Sequence, residues 1–423
     1  MTAAARCVLA VLSALALCSS TAACGSRLAQ QTLGTAPGAS SPAANCAGFH
    51  GGPGVDEREI TIGNASDIGG LTPGLFHATQ QAVAAFVAFF NSTSDICGRK
   101  LKLLALDSRG DTGGDQAAAA EGCRRAFALV GSMSSADLGG ARTVSDCGIP
   151  DLRATVVHPE RAGSPVVYAA RPARLGQLAA AVPDHFVTHY PDAVRSAAFI
   201  YVGTAAAEAQ SRITGYASRG FNWVYQQAVD DAEFNYAPYA MQLKQRGVHY
   251  VQFLGPYRHA VRLAQAMQQQ GVQPAAFLLD PAVYSADFAR SAVPAVPGTK
   301  VFTDVAPLDD GGENPELQLY AKWLAETSPG AMPSYFGVFA WSAARLFTEL
   351  ASGLGGNLSR PNLLAALAAV TGWDGHGLSV PQDVGGRNAA PCVAIMKLEG
   401  GRWVRETEDK FVCGELVGSG IGG

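Results

Sequence analysis

The amino-acid sequence predicts an α/β protein with two doubly wound parallel-sheet lobes. Short apolar runs alternate with longer amphipathic or alanine-rich stretches from residue 59 onward. Repeated strand–helix alternation of this kind is typical of parallel sheets covered by helices. The apolar runs fall into two consecutive series, one for each lobe. The chain of 423 residues is also long enough for two domains with sizeable cores.

The predicted elements follow each other in a regular order. The first series of strands covers residues 59–63, 101–106, 127–131, 150–152 and 166–170, and the second covers 196–202, 223–229, 250–254, 275–279 and 300–303. The helices predicted between them cover 75–90, 115–125, 136–147, 174–189, 236–246 and 258–270, and the first carries Val83, Phe86, Val87 and Phe90 at helical spacing. Beyond residue 303 the chain continues with helices at 313–327, 335–352 and 360–370, and then a hairpin of 392–397 and 402–405.

The first 23 residues predict a secretory signal peptide. Arg6 is the basic residue, an apolar run covers 7–17, and small residues lead to Cys24. The apolar run is shorter than the ~20 residues that a membrane-spanning helix needs. A cysteine after small residues resembles a bacterial lipobox, although Thr21 stands where leucine is usual, so we expect a diacylated Cys24. Residues 24–55 would then be a lipidated N-terminus and flexible tether; the alternative is ordinary cleavage with an incidental cysteine.

The cysteines and the charge narrow the class of protein. A net charge of −4 and a charged fraction of 16% provide no basic field for nucleic acid. After Cys24 an even number of cysteines remains, which in an exported chain indicates disulfides without fixing their pairing. We expect Cys123 to pair with Cys147, because they flank one strand–helix unit, and Cys392 with Cys413, because they flank the terminal hairpin. Cys46 and Cys97 would form the remaining pair. No CxxC pair indicates a structural zinc site.

The loops that follow the predicted strands mark the expected binding site. In open parallel sheets, ligands bind beyond the carboxyl ends of the strands. These loops are 65–70, 107–111, 132–135 and 154–158 in the first lobe, and 203–207, 230–233, 255–257 and 280–284 in the second. We expect them to form two facing walls of an interlobe cleft, which is the default position of a small-molecule site.

Several local patterns occur in a characteristic order. They are ITIG at 60–63, Asn91 followed by CGRKLKL at 97–103, the acidic residues Asp107, Asp111 and Asp115, LVGSMSS at 129–135, GIP at 148–150 and GWDGHG at 372–377. From about residue 59 to residue 405 the chain thus resembles the type 1 periplasmic binding fold, in the branch of branched-chain amino acid ABC-transporter binding proteins. The resemblance implies a three-segment hinge with crossovers near Arg171, Thr303 and Asn388. It therefore implies lobe 1 at 56–171 and 304–388, lobe 2 at 172–303 and 389–415, and a flexible tail at 416–423.

The resemblance also implies ligand contacts in lobe 1. Ser135 matches a serine that binds the ligand's carboxylate, and it precedes the predicted helix 136–147, whose amides and dipole favour an anion. Its alternative role is a helix N-cap. Thr155 and Val156 follow the fourth strand, where the family binds its ligand through backbone and hydroxyl groups; the alternative is a surface loop.

The resemblance implies further contacts in lobe 2 and in the returning segment of lobe 1. Tyr257 matches a cleft aromatic, and Asp280 matches the acidic partner of the ligand's ammonium or else opens an Asp-Pro turn. Tyr335 and Phe336 match aromatics of the side-chain pocket, for which core packing is the alternative. The family's Tyr-Gly is replaced by GTAAAE at 203–208. This replacement enlarges the pocket or removes a hydrogen bond, and it favours a ligand other than a leucine-type amino acid.

Motifs of catalysis are weak in this sequence. His185 and His189 stand four residues apart, but no Glu or Cys completes a metal set, so we interpret them as solvated. GSGIGG at 418–423 has no helix after it and cannot present amides to a phosphate. We expect no enzymatic activity, no cofactor and no metal.

The sequence therefore predicts a monomeric, extracytoplasmic solute-binding lipoprotein of an ABC importer, with permease and ATPase subunits as partners. It would capture a small amino-acid-like or amide-like solute while anchored to the outer face of the cytoplasmic membrane. A ligand sensor that reports to a membrane receptor is the alternative.

Overall fold

The structure is a computed structural model and describes residues 45–49, 51–70, 72–173, 176–290, 296, 298–308 and 312–418. The predicted signal peptide, Cys24 and residues 25–44 of the predicted tether lie outside the described residues. None of the described helices has the length and apolar character that crossing a membrane requires.

The first sheet is parallel and has five strands, in the order β2-β1-β3-β4-β5. The strands are β1 (Glu59–Ser66), β2 (Lys100–Asp107), β3 (Ala128–Val130), β4 (Asp151–Thr155) and β5 (Val167–Arg171). The helices that connect them are α1 (His77–Thr93), α2 (Thr112–Arg125), α3 (Ala141–Cys147) and α4 (Pro159–Ala162). We call this sheet with its helices lobe 1.

The second sheet begins after β5, and we call it with its helices lobe 2. Its main path runs β13-β12-β11-β10-β9-β7-β8, and β14 pairs with β12. The elements are β6 (Gln177–Ala179), α5 (Ala181–His189), α6 (Pro191–Val194), β7 (Ala197–Val202), α7 (Ala206–Ala217), β8 (Trp223–Val229), α8 (Ala237–Gln245), β9 (Tyr250–Leu254), α9 (Tyr257–Gln270), β10 (Ala276–Leu279), α10 (Ala286–Arg290) and β11 (Thr299–Thr303). Strands β7 to β11 are parallel, whereas β12 runs antiparallel to β11.

The chain returns to lobe 1 after β11 and leaves it again before β12. The returning segment contains α11 (Pro315–Thr327), α12 (Tyr335–Leu354) and α13 (Arg360–Ala368), and the last strands are β12 (Cys392–Glu399), β13 (Arg402–Arg405), β14 (Val412–Cys413) and β15 (Leu416–Gly418). Helix α12 packs against α1 and β4. At this interface the Trp341 ring lies edge-on to Phe86, with 4.9 Å between ring centroids. Both side chains are fully buried in the main core.

Two predicted helices begin at least five residues later than expected. The helix predicted at 174–189 begins at Ala181, because Pro183 is tolerated only in the first turn of a helix. Upstream of it, β6 pairs antiparallel with β15. Residues 416–418 are therefore a strand and not part of a flexible tail. The helix predicted at 136–147 begins at Ala141, after Gly139 and Gly140, which disfavour helix.

The three expected disulfides are present. They join Cys46 to Cys97, Cys123 to Cys147 and Cys392 to Cys413. The first bridge holds the N-terminal segment against lobe 1, and the amide of Gly356, in the loop between α12 and α13, donates to the carbonyl of Asn45 at 2.8 Å. Residues 45–49 and 51–55, which the sequence predicts to be part of a flexible tether, are thus attached to lobe 1.

Candidate functional site

One ion pair shows how the two sheets face each other. Arg171 is the last residue of β5, and Asp304 directly follows β11. Arg171 Nε donates to Asp304 Oδ2 at 2.8 Å, so the carboxyl ends of these two strands meet. Because ligands of parallel sheets bind beyond the carboxyl ends of the strands, the cleft between the two sheets is the candidate binding site.

Tyr335 extends this ion pair into lobe 1. It is the first residue of α12, it is buried, and its hydroxyl donates to Asp304 Oδ1 at 2.6 Å. The Arg171 guanidinium lies 5.6 Å from the centre of the Tyr335 ring, within the range of a cation–π contact. Burial would lower the pKa of Arg171, but Asp304 and, more weakly, Asp280 hold it above its ordinary value. The hinge therefore carries a permanent, paired charge.

The side chain of Ser135 is bonded to a carboxylate of the protein itself. Ser135 Oγ donates to Asp67 Oδ2 at 2.6 Å, and the Ser135 amide donates to the same oxygen at 2.8 Å. Asp67 Oδ1 accepts from Ser108 Oγ at 2.6 Å and from the Gly110 amide at 3.0 Å. The expected helix N-terminus next to Ser135 is absent, because α3 begins at Ala141. Neither the N-cap nor the dipole argument therefore applies to Ser135.

A second carboxylate ties together the same edge of lobe 1. Asp107 ends β2 and accepts the backbone amides of Ile68 and Gly69 at 3.1 Å and of Arg109 at 2.8 Å. Burial would raise the pKa of Asp107, but these amides outweigh burial and the pKa lies below its ordinary value. Asp67 and Asp107 thus connect the loops that follow the first strands of the lobe.

Thr155 and Val156 meet different surroundings at the end of β4. Thr155 is 3% exposed, and its Oγ1 has no hydrogen-bond partner among the described residues. It is the register partner of Arg171 on β5. The Val156 side chain packs in a lobe 1 core cluster with Ala119 and Leu129, so only its backbone remains for a solute. A buried hydroxyl without a partner costs about 1–3 kcal/mol, which makes Thr155 a candidate solute contact.

Asp280 already has a cationic partner inside lobe 2. Its Oδ2 lies 3.0 Å from Arg212 Nη2, and its Oδ1 accepts the Ala282 amide at 3.0 Å. Arg212 Nε also donates to Glu208 Oε1 at 2.8 Å. Burial would lower the pKa of Arg212, but Glu208 and Asp280 hold it above its ordinary value. The Asp-Pro turn considered from the sequence is formed, since Asp280 caps the short turn Pro281–Val283.

The two remaining predicted contacts are aromatic and lie on different lobes. Phe336 is partly buried, and its ring is edge-on to Phe76 at 5.4 Å and to Tyr335 at 5.0 Å. Tyr257 is the first residue of α9 and is 47% exposed. Its ring lies 6.5 Å from that of Phe288. Tyr257 is therefore the more accessible of the two, while Phe336 belongs to an aromatic cluster at the start of α12.

Four charged residues at the cleft were not among the predicted contacts: Asp67, Arg171, Arg212 and Asp304. Asp67 lies in the predicted cleft loop 65–70, and Arg171 and Asp304 lie at the predicted crossovers. Their position at the end of a strand or directly after it is the signal that could have identified them. Arg212 lies inside α7 and carries no such signal.

The histidine pair of α5 contacts lobe 2 and not solvent alone. His185 Nε2 lies 3.1 Å from Glu406 Oε1, and the His185 side chain is 8% exposed. The interpretation of two solvated histidines is therefore wrong for His185, whereas His189 is exposed. Across the part of the chain that the structure describes, no three His, Cys, Asp or Glu side chains are grouped so that they could hold a metal ion.

A cavity of about 540 Å³ lies away from the cleft, between the N-terminal segment and the loop before α13. Arg360 lines it, but its guanidinium donates to the carbonyls of Cys123, Ala126, Phe127 and Cys147 at 2.8 to 3.3 Å. These four carbonyls already accept the hydrogen bonds of the guanidinium, so the cavity has no free charge for a solute from Arg360. We therefore assign Arg360 a structural role.

The fold and the cleft define a two-lobed protein of the solute-binding class. Residues 59–402 match the family described as periplasmic binding protein. The chain belongs to this family, and the resemblance to the type 1 periplasmic binding fold is confirmed. No curated protein sequence matches the chain significantly.

Solved structures of ABC-transporter proteins share the fold. A fatty acid ABC transporter substrate-binding protein from Thermomonospora curvata has a TM-score of 0.74 at 18% identity, and the alignment covers 87% of this chain and 96% of that protein's chain. A solute binding protein from R. palustris in complex with benzoate has a TM-score of 0.70 at 17% identity, and the alignment covers 85% of this chain and 99% of that protein's chain. A branched chain amino acid ABC transporter protein from Thermus thermophilus with bound valine has a TM-score of 0.70 at 15% identity, and the alignment covers 84% of this chain and 97% of that protein's chain.

Proposed function

We propose that this chain is the extracytoplasmic solute-binding protein of an ABC importer. It captures a small amino-acid-like or amide-like solute in the cleft between its lobes. A solute that contacts both lobes stabilises the closed arrangement more than the open one, and hinge closure follows from that difference. The family match over residues 59–402 supports the class of protein.

The observation that carries this proposal is the Arg171–Asp304 ion pair. The two residues are 133 positions apart in the sequence and belong to two of the connections between the lobes. Their contact brings together the carboxyl ends of a strand from each sheet, which is where parallel sheets bind ligands. The pair thus marks the pivot of a clamp, with Thr155 and Phe336 proposed as contacts on lobe 1 and Tyr257 on lobe 2.

The proposed organisation of the chain follows the crossovers. Residues 56–171 and 304–388 form lobe 1, and residues 172–303 and 389–415 form lobe 2. A lipid on Cys24 anchors the mature chain to the outer face of the cytoplasmic membrane. We propose that the protein is a monomer and delivers its solute to permease and ATPase subunits.

A thermal-shift screen tests solute binding directly. The panel contains amino acids, amides, ureas and aromatic acids. At a concentration a hundredfold above its dissociation constant, a solute adds ~2.7 kcal/mol of stability by linkage, which raises the melting temperature measurably. A panel in which no solute raises the melting temperature contradicts the proposal.

Two threonine variants place the binding event at the cleft. Thr155→Val removes a buried hydroxyl that has no partner, so we expect undiminished stability of the free protein but weaker solute binding. Thr299 is the matched control, because it is equally buried and lies at the opposite, amino-terminal end of β11, where its Oγ1 donates to the Val296 carbonyl at 2.9 Å. Thr299→Val should lose about 1 kcal/mol of stability and keep its affinity. Equal affinities in Thr155→Val and the wild type would remove Thr155 from the site.

A further inference from the structure

We infer that the anion site of lobe 1 is filled by the protein's own Asp67, and that the solute of the cleft is uncharged, an amide-like molecule and not a carboxylic acid or a zwitterionic amino acid. The inference rests on the proposed function, because it names the class of solute that the cleft takes.

Four hydrogen-bond donors converge on Asp67. Ser135 contributes its hydroxyl and its amide to Oδ2, at 2.6 and 2.8 Å. Ser108 Oγ and the Gly110 amide donate to Oδ1, at 2.6 and 3.0 Å. Two amides and two hydroxyls from separate loops form a cradle for one carboxylate. Since a carboxylate has about four lone-pair sites, the cradle and Asp67 satisfy each other completely.

The cradle has no room for a second carboxylate. Asp67 is 1% exposed. The backbone of Gly110 is in the left-handed region, with φ of 67°, and a Cβ at this position would lie 3.3 Å from both Asp67 Oδ2 and Ser135 Oγ. A carboxylate of the solute would also face the like charge of Asp67, which is unfavourable. Ser135 is therefore a partner of Asp67 and not of the solute.

The other charges at the cleft are paired as well. Asp280 lies 3.0 Å from Arg212, so a solute ammonium meets a carboxylate that is already neutralised. Arg171 is held by Asp304 at 2.8 Å. Among the described residues, two buried polar atoms of these cleft side chains have no hydrogen-bond partner, Thr155 Oγ1 and Arg212 Nη1. The Arg212 guanidinium is already paired with Glu208 and Asp280, so its remaining N–H suits a neutral carbonyl oxygen, and the Thr155 hydroxyl is itself neutral. A hydroxyl can both donate and accept, as an amide, urea or alcohol group of an uncharged solute requires.

Formate rescue tests the cradle without any knowledge of the solute. Asp67→Ala removes a group of the size of formate and leaves the four donors in place. We expect formate to raise the melting temperature of Asp67→Ala at constant ionic strength and to leave the wild type unchanged. Asp67→Asn is the matched control, because it also removes the charge but fills the cradle, and it should gain nothing from formate. Equal responses of the three proteins would overturn the cradle.

Ser135→Ala provides a second readout that does not depend on the folding of Asp67→Ala. If Ser135 donates to Asp67 and not to the solute, the variant loses one of the four donors, and the free protein melts at a lower temperature. Solute affinity then stays within about twofold of the wild type, well below the tenfold change that ~1.4 kcal/mol represents. A serine that binds the solute's carboxylate would show the reverse pattern. An unchanged melting temperature together with a large loss of affinity would overturn the inference.

Matched solutes test the class of ligand. The first set is benzoate, benzamide and benzamidine, which have the same ring but are an anion, a neutral amide and a cation. The second set is leucine, a zwitterion, and N-acetyl-leucinamide, which has the same side chain and no charge. We expect the uncharged member of a set to bind the wild type most tightly, by calorimetry or thermal shift. Tighter binding of benzoate or leucine would overturn the solute class. If no solute binds, the proposed function is overturned. The cradle is tested separately, because formate rescue of Asp67→Ala requires no solute.

Discussion

His158 Nδ1 lies 2.9 Å from Asp137 Oδ1, and the same carboxylate accepts the backbone amides of Val157 at 2.9 Å and of His158 at 3.0 Å. Asp137 is fully buried, and Arg153 Nε lies 3.8 Å from its Oδ2. One carboxylate thus fixes the loop that follows β4, directly beyond Thr155. A titratable side chain is part of the edge of the cleft.

The stability of this loop should depend on pH through His158. The hydrogen bond to Asp137 raises the pKa of His158 above its ordinary value, against the opposing effect of burial. Stabilisation by the protonated ring is therefore present in full below about pH 6.5 and is lost as the pH rises through the folded-state pKa. His158→Gln keeps a donor for Asp137 but does not titrate. We expect the melting temperature of the wild type to exceed that of His158→Gln most at about pH 6 and least at about pH 8.

The exposed His249 is the control for this experiment. His249→Gln should follow the wild type at every pH, because its side chain lies in solvent. A difference between wild type and His158→Gln that does not change across this range would contradict the prediction.

Removing Asp304 should destabilise the hinge strongly. Asp304→Ala leaves the Arg171 guanidinium and the Tyr335 hydroxyl without their shared acceptor, and breaking a buried pair in this way costs about 3–5 kcal/mol. Tyr335→Phe removes one hydrogen bond to the same carboxylate and should cost about 1.5–3 kcal/mol. Urea unfolding measures both losses. The exposed pair of Glu59 and Lys102, 2.9 Å apart, is the control, and Glu59→Gln should change stability by less than ~1 kcal/mol. Similar losses in Asp304→Ala and Glu59→Gln would refute the hinge role.

The sequence predicts the strands well because each is a short apolar run with polar or turn residues at its ends. Trp223–Val229 and Tyr250–Leu254 were predicted residue for residue. Helix starts were predicted less well, because α3 and α5 are delayed by local effects of Gly140 and Pro183 inside otherwise helical patterns. Strand β6 was missed for a different reason. Its partner β15 lies more than two hundred residues away, and a short edge strand has no periodicity of its own.

The sequence predicts the loops of the candidate site, but it does not predict which polar side chains of these loops pair with each other. Sequence position places Ser135 at the carboxyl end of β3, but it does not reveal that Asp67, 68 residues earlier, accepts both its amide and its hydroxyl. Asp280 was likewise placed correctly after β10, and its pairing with Arg212 depends on how α7 packs. Partner choice between charges is decided by tertiary packing, so a single sequence identifies the charged residues and leaves their pairing open.

Arg360 and the Cys123–Cys147 disulfide should both stabilise the packing of the end of α2 against the end of α3. The guanidinium donates to the carbonyls of Cys123 and Ala126 at the end of α2 and of Cys147 at the end of α3. We expect Arg360→Met to cost about 2–3 kcal/mol, because it leaves several partly buried carbonyls without a donor. Because both features hold the same helix ends, the losses of Arg360→Met and Cys123→Ser/Cys147→Ser should deviate from additivity by about 0.5–3 kcal/mol. Arg125→Met at the exposed end of α2 is the control, and additive losses for Arg360 would contradict the coupling.

Glu406 should stabilise lobe 2 at neutral pH and lose this effect in acid. It accepts from Tyr190 at 2.8 Å, lies 3.1 Å from His185 Nε2 and pairs with Lys300, which is 4% exposed. Burial would raise the pKa of Glu406, but the hydrogen bonds from His185 and Lys300 outweigh it and lower the pKa to about 2. A depressed folded-state pKa means that the stabilisation is present above the unfolded value and is lost as the pH falls through about 2.

Glu406→Gln should therefore be less stable than the wild type by roughly 2 kcal/mol at pH 7, since each unit of pKa depression corresponds to about 1.4 kcal/mol and part of it is screened by solvent. The deficit should shrink steadily between about pH 4 and about pH 2, where wild-type Glu406 also becomes neutral. Urea unfolding over this pH range measures the deficit. Glu399→Gln, which removes the partner of Lys397 at an exposed site, should show no such trend. A deficit of Glu406→Gln that stays constant down to pH 2 would show that the residue acts through packing and not through its charge.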